Sequence, residues 1–388
     1  MKNKQSLNIL KVWSTFQTEI KYHDHYLAKS MHAKGHTTTF FASDGVEPAW
    51  KPFLKQQHFD TSKIEIWEGS TIRRFPSISI SAKPFIKNPF AFYKAIKSLK
   101  PSVIHLLGIS YPVNQLAIVA AFFASKAPII VNEHGVKNEN RTGLVARFFY
   151  WHAYIFYQLF GKKRIQHFVA PNEESKAFII SRYGVKEDKI SIIPLGFDST
   201  VFYLQENLRD NSAQQLIIGF AGKIFPDKRV DRILKAINQS KYKSNIRCII
   251  AGFNASNEAI KHEMISFAME NKIDLQCKGF LNTRELAIFY NAIDLAVYPG
   301  VISITTIEAN ACGTPILLNE SIQGLENRVE EGRGFLFKTD EELVQLINHY
   351  YEAKANNKIN HHAIAKATER YSWDNLSQEY LNLYEQFL

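Results

Sequence analysis

Three short stretches hold the residues best suited to bind a charged, hydroxyl-rich ligand. In YPGVISITTIEANACGTPILL (298–318) a strand ending in Pro-Gly gives way to small and hydroxyl residues, then to the single carboxylate Glu308, then to another apolar strand. Ser303, Ile304, Thr305 and Thr306 lead into a helix, and the backbone N–H groups and hydroxyls of a helix start suit a phosphate. Glu308 reads either as an acceptor for a sugar hydroxyl or as an ordinary acid stabilised by the helix dipole. GFAGKIFPDKRVDRILKAI (219–237) follows the same logic, with Lys223 and Lys228 five apart between a glycine turn and a helix. Two ammonium groups there add point charges for a diphosphate, unless both are solvated surface lysines. NEHGVKNENR (132–141) puts His134 directly after a buried strand. An imidazole at that end of an α/β strand donates to a substrate oxygen or serves structure alone. His105, in VIHLLG, has a similar setting.

The bulk composition bounds what these residues can belong to. A chain of 388 residues, 46% hydrophobic and 22% charged, has material for two cores. No window reaches the run of about eighteen apolar residues that a membrane span needs, and MKNKQSLNILKVW lacks a signal peptide's apolar core, so a cytoplasmic protein is expected. Cys248, Cys277 and Cys312 are too few and too scattered for a disulfide framework or a metal cluster. No Asp-x-Asp triplet occurs, so the usual acid pair for a divalent metal is missing and no metal or other cofactor is expected. Residues 1–200 carry 27 Lys and Arg against 14 Asp and Glu, whereas residues 201–388 carry 20 against 23. The basic first half fits an anionic partner, whether membrane lipid, a diphosphate-linked molecule or nucleic acid.

The elements that must position these residues follow a doubly wound rhythm. LNILKV (7–12), TTTFFA (37–42), SVIHLL (102–107), PIIVNE (128–133), QHFVA (166–170) and ISIIP (190–194) read as buried parallel strands between helices. A helix over 19–34, ended by Gly35, joins the first two. LIIGFAG (216–222), IRCIIAG (246–252), DLAVYP (294–299), PILL (315–318) and GFLF (334–337) start the rhythm again. The polar stretch 197–215 reads as a linker. The chain therefore divides into a first Rossmann-like domain over 1–200 and a second over 201–372, with a ligand cleft expected at the strand ends. YSWDNLSQEYLNLYEQFL at the C-terminus is an amphipathic helix that caps its own domain or returns over 373–388 to the first. VARFFYWHAYIFYQLFGKKR (145–164) is an aromatic helix with a basic end, suited to a membrane–water interface or to a core.

Taken in order, these motifs resemble the retaining glycosyltransferases of the GT-B fold, family 4. YHDHYLAKSMHAKGHTTTFFASD (22–44) looks like the family's first helix and Gly-His strand lead-in. FVAPNEESKAFIISRYGVKEDKISIIPLGFDSTVF (168–202) resembles its Pro-x-Gly-x-Asp segment. GKIFPDK resembles the diphosphate turn, IEANACGTPILL the Glu-Ala-x-x-Cys-Gly-x-Pro stretch, and the last eighteen residues the returning helix. The resemblance implies two Rossmann-like domains facing a cleft, with the last helix on the first domain. It places Lys228 on the donor diphosphate, with Lys223 where an arginine is usual. It puts Glu308 on the ribose and the amides of Ser303, Ile304 and Thr305 on the phosphates. His134 then contacts the transferred sugar, and His134, Lys228 and Glu308 form the catalytic set.

One departure stands out. The family's other acid, eight residues before Glu308, is Gly300 here, so the sugar falls to Gly300, Val301 and Ile302, held by the backbone amides of 301–304. The first loop, Ser14 to Gln17, lacks the family's glycines. The expected activity is metal-independent transfer from a UDP- or GDP-sugar to a glycan or lipid-linked acceptor, in surface polysaccharide or lipopolysaccharide synthesis. The expected setting is the inner face of an anionic membrane, with no nucleic acid as partner. A nucleotide-sugar epimerase of the same fold and a non-catalytic basic membrane-binding relative are the rivals.

Overall fold

Short β-branched runs alternate with helices in this chain because each parallel strand needs a crossover to return it to the same edge. A computed structural model describes residues 6–19, 22–46, 56, 58–80, 83–135, 144–209, 215–301, 304–320 and 326–388. The chain forms two units, one of Met1–Leu195 with Trp373–Leu388 and the other of Gly196–Ser372.

The first unit contains strands β1 (Asn8–Trp13), β2 (Thr37–Ser43), β3 (Ile64–Trp67), β4 (Ser70–Phe75), β5 (Ser77–Ile80), β6 (Lys83–Ile86), β7 (Val103–Leu107), β8 (Ile129–Asn132), β9 (Ile165–Ala170) and β10 (Ile190–Ile192). Eight of them make one sheet in the order β10-β9-β8-β7-β1-β2-β4-β3, while β5 and β6 pair as a separate hairpin. All neighbours in the large sheet are parallel except β3, which runs antiparallel to β4. The strands expected from the sequence are present within a residue or two; β3 to β6 were not anticipated. In β4 the reason is Arg74, which is buried and donates to the Phe16 carbonyl at 2.8 Å. A charged pair inside STIRRF hides a core strand.

The second unit contains β11 (Leu216–Ala221), β12 (Ile246–Phe253), β13 (Asp274–Gly279), β14 (Leu295–Tyr298), β15 (Ile316–Asn319) and β16 (Gly334–Phe337), all parallel, in the order β13-β12-β11-β14-β15-β16. The helix Asp231–Gln239 buries Ile233, Leu234 and Ile237 on one face, as the spacing predicts. The described part of the stretch read as a linker, 197–209, packs in this unit. Phe197 and Phe202 enter its core, and Arg209 donates to the carbonyls of Ile293 (3.1 Å) and Cys312 (2.5 Å).

The C-terminal helix Trp373–Glu385 belongs to the first unit, where Leu376, Tyr380 and Tyr384 pack on Ile9, Val103 and Ile130. All five tryptophans fall in the residue range of this unit, so their fluorescence reports it alone. Leu376 is 1% exposed. Leu376→Ala should therefore cost about 2–5 kcal/mol, read as an earlier denaturant midpoint in tryptophan emission. A midpoint unchanged from the parent would mean that the helix is not part of that core.

Candidate active site

In each sheet the strand order reverses once, and the loops leaving the carboxyl ends of the two strands at that point open a crevice. In the second unit the reversal lies between β11 and β14. The loop after β11 carries Lys223 and Lys228; the one after β14 carries Gly300 and Val301 and leads into the helix Thr305–Ala311, which holds Glu308. Lys223, Lys228, Gly300, Val301, Ile304, Thr305 and Glu308 thus belong to the two loops that flank one crevice. Ile302 and Ser303 lie outside the described residues.

The two loops are bound to each other by backbone. Pro226–Lys228 is a single 3-10 turn, closed by Arg229 at φ 49°. Lys228 Nζ donates to the Val301 carbonyl at 2.6 Å, and the Val301 amide donates to the Asp227 carbonyl at 3.2 Å. A Cβ at residue 300 would overlap the Asp227 carbonyl oxygen and the Lys228 carbonyl. The position where the resembled family carries an acid is therefore one where no side chain fits beside this turn. Pro299 is fixed as well, its carbonyl accepting from Arg232 Nη1 (3.2 Å) and Asn319 Nδ2 (2.9 Å), while Arg232 Nε holds Asp340 at 2.6 Å. Lys228 is half-buried and burial lowers its ammonium pKa; Lys223 is exposed.

Glu308 is half-buried, and its carboxylate has no hydrogen-bond partner among the described residues. Burial raises its carboxyl to about 8. Below it the hydroxyls of Tyr290 and Tyr298 meet at 3.0 Å, and Tyr298 donates to the Thr305 carbonyl at 3.2 Å, which holds the first helical turn in place. Sequence reading missed Arg328. Its Nη1 donates to Thr306 Oγ1 at 2.7 Å, and burial pushes its guanidinium down to about 10. Nothing in the surrounding GLENRV marks it.

In the first unit the reversal falls between β1 and β7, which place Lys11 and His105 side by side in register. Lys11 is buried and ion-pairs with Asp24 of the helix His23–Ala33. His105 Nδ1 contacts Tyr384 OH of the C-terminal helix at 2.5 Å. Burial alone would raise the Asp24 carboxyl, but His23 and Lys11 outweigh it and hold it well below the usual range. His134 follows β8 with its ring 4.4 Å from that of His23. Burial and then the neighbouring His23 push His134 down to about 3, so it is a neutral imidazole. Its loop is fixed by buried Glu133, which accepts from Tyr183 OH at 3.1 Å and the Gly135 amide at 3.3 Å. A Cβ at Gly135 would strike the Phe178 ring. Lys11 and Asp24 were also missed, although a lone lysine inside the apolar run NILKVW is a signal.

Two mostly parallel sheets, each with ligand-competent groups at its reversal point, define the GT-B class. Residues 22–201 match the family described as Glycosyltransferase Family 4 and residues 205–370 that described as Glycosyl transferases group 1. The chain belongs to this family of glycosyltransferases. Among solved structures it is similar to a glycosyltransferase from Rickettsia africae (TM-score 0.70, 18% identity, 98% of both chains). It is also similar to the Anabaena HepE protein in complex with UDP (TM-score 0.71, 15% identity, 98% of this chain and 100% of that one). Among curated proteins it is 27% identical to the lipopolysaccharide 1,2-N-acetylglucosaminetransferase of Salmonella typhimurium over 55% of this chain and 60% of that one. The matched stretch thus spans about 60% of that relative's length.

The Glu308 carboxyl makes a prediction about stability. Its ordinary value is 4.5 and its folded value about 8, so the fold keeps a proton that the unfolded chain has lost. The contribution is full below about 4.5 and falls away as the pH climbs through about 8. Glu308→Gln should therefore melt above the parent at pH 8.5, with the gap closing by pH 4.5. An equal gap at both pH values would contradict the burial.

Proposed function

We propose that the chain is a retaining, metal-independent glycosyltransferase that moves a sugar from a UDP- or GDP-sugar to a glycan or lipid-linked acceptor. The observation that carries this reading is the placement of Lys228 and Glu308 in the segments that follow the two strands at the reversal of one sheet, a cation for phosphate and an acceptor for ribose hydroxyls. The UDP in the Anabaena protein and the lipopolysaccharide activity of the Salmonella relative point the same way. On this reading Lys228 exchanges the Val301 carbonyl for a phosphate oxygen. Lys223 and the amides leading into Thr305 join it in countering the charge that grows on the leaving diphosphate. Glu308 accepts from the ribose. With no side chain at 300, the backbone of 300–302 takes the sugar hydroxyls. His134, being neutral, orients the sugar rather than attacking it. The absence of an Asp-x-Asp triplet supports chemistry without a metal.

The acceptor side follows from the first unit's surface. The helix Leu144–Phe156 turns Phe148 (66% exposed) and Trp151 (57%) outward, with Leu159 and Phe160 beyond it, and Lys162 and Lys163 exposed at its end. That composition fits the headgroup region of an anionic membrane and supports work at the inner face of the cell membrane on a lipid-linked glycan of surface polysaccharide or lipopolysaccharide synthesis. Arg164, read from the sequence with these lysines, is occupied elsewhere: it donates to the carbonyls of Ser125 (2.8 Å) and Ala127 (3.0 Å).

Lys228→Ala should weaken UDP binding about ten- to a hundredfold, the worth of one charge-assisted hydrogen bond. Calorimetry in buffer with EDTA measures this. Unchanged affinity in the variant would count against the site, and parent binding abolished by EDTA would count against the metal-free reading. Lys162→Gln/Lys163→Gln should sediment less with vesicles containing anionic lipid, the difference shrinking as salt rises. Equal sedimentation would remove the membrane from the account.

A further inference from the structure

The proposed donor crevice leaves another part of the second unit unused. Where the chain passes from the helix Asp340–Ala355 to the helix His361–Thr368 it borders a cavity of about 450 Å³. That lies within the range of about 300–1,000 Å³ usual for small-ligand sites. The cavity is lined by Glu206, Arg209 and residues 357–362, none of them on the loops that follow β11 and β14.

Arg209 is the residue that calls for a ligand. Its Nη1 donates to the Ile293 carbonyl at 3.1 Å, and its Nη2 to the Cys312 carbonyl at 2.5 Å and to Thr314 Oγ1 at 3.0 Å, so the guanidinium is fixed in place. No carboxylate among the described residues pairs with it, and its buried Nε has no acceptor. Asp294, the acid whose charge acts on it most, is already occupied: Lys354 Nζ donates to it at 2.6 Å and the Ile217 amide at 2.7 Å. Glu206 is occupied as well, accepting from His362 Nε2 at 2.5 Å. A cation drawn out of water without a counter-ion is costly, and burial pushes this guanidinium down to about 10.

The rest of the lining is chemically mixed. Lys358 is exposed at the rim and adds a second positive charge. Asn360 Oδ1 is taken by the Ala363 amide at 2.9 Å, which leaves its two N–H groups to donate. His361 Nδ1 meets the Gly313 carbonyl at 2.8 Å; a carbonyl only accepts, so Nδ1 carries the proton. Burial and then the neighbouring Arg209 push His361 down to about 4, so at neutral pH its Nε2 is an acceptor. Two cations therefore stand beside two carboxamides and an imidazole acceptor. The cations suit an anion and the neutral groups suit hydroxyls, which a bare ion would leave unpaired.

We propose that this cavity binds a small phosphorylated polyol, a sugar phosphate in chemical class. Its phosphate counters the charge of Arg209 and Lys358, and its hydroxyls meet Asn357, Asn360 and His361 Nε2. The assignment goes beyond the transferase reading and shares no residue with the donor crevice. Arg209 and His361 also hold the two carbonyls that follow the helix Thr305–Ala311, so an occupant touches the side chains that fix the far end of the helix carrying Glu308.

The test is calorimetry on the full chain saturated with UDP, which fills the site of Lys223 and Lys228 beforehand; a Lys228→Ala background serves the same end where UDP does not bind. The probes are glucose 6-phosphate, inorganic phosphate and glucose. Glucose 6-phosphate should bind, and each of the other two should bind about tenfold more weakly or less. Lys358→Glu should weaken glucose 6-phosphate about tenfold or more, the worth of a charge-assisted hydrogen bond. UDP affinity and melting temperature should stay at parent values in that variant. Arg209→Met should abolish binding, but it also removes the hydrogen bonds to Ile293, Cys312 and Thr314, so the surface variant decides. No binding of glucose 6-phosphate at millimolar concentration overturns the site, as does an affinity that Lys358→Glu leaves unchanged. Inorganic phosphate binding as tightly as glucose 6-phosphate overturns the assignment to a polyol, and glucose binding as tightly overturns the assignment to an anion.

Discussion

The absence of a side chain at position 300 is the constraint from which the second unit's site is built. Two loops leave neighbouring strands β11 and β14 and meet backbone to backbone, with Asp227 and Val301 joined by an amide–carbonyl bond and Lys228 spanning the same gap. That approach is possible because residue 300 has no Cβ. It places the Lys228 ammonium, by its own hydrogen bond, over the chain that leads into Glu308. Arg232, Asn319 and Asp340 hold Pro299 from behind, so the meeting point is not free to relax. A carboxylate at 300 and this docked lysine turn are mutually exclusive arrangements. The chain has the second.

Much of this was legible in the sequence, for a physical reason. Parallel strands are buried on both faces and so appear as unbroken apolar runs, and the runs at 216–222, 246–252 and 294–299 could be read directly. Lys223, Lys228 and Glu308 were picked out because they stand in the segments that follow such runs. What stayed hidden depended on tertiary partners. Arg74 lies in a core strand only because Phe16 and Glu65 receive its guanidinium. Arg328 matters through Thr306, twenty-two residues away. Gly300 looked like a missing acid; that it is a contact point appears only when the turn at 226–229 is laid against it.

The two sheets share a topology and use it differently. At the reversal point of the second unit Lys228 and Glu308 are half-buried and Lys223 is exposed, and backbone joins the two loops. At the corresponding point of the first unit the groups are titratable and buried, and aromatic rings form the walls. Binding an anion calls for cations that solvent has not fully screened, which the first arrangement supplies.

The C-terminal helix explains why that buried network can persist. Tyr384 contacts His105 Nδ1, the nitrogen that also faces Lys11, Tyr380 accepts from Asn132 at 2.9 Å, and the Trp373 ring lies 6.3 Å from that of His23. Without these residues Lys11, Asp24 and His105 would face water over the middle of the sheet, where an ion pair contributes little and an imidazole keeps no fixed orientation. The amphipathic pattern of the last eighteen residues marks a helix that needs a surface. Its buried face carries two tyrosine hydroxyls and an indole N–H as well as leucines, so it both covers the first unit's core and completes its polar chain. Packing and chemistry are set by the same turns of helix.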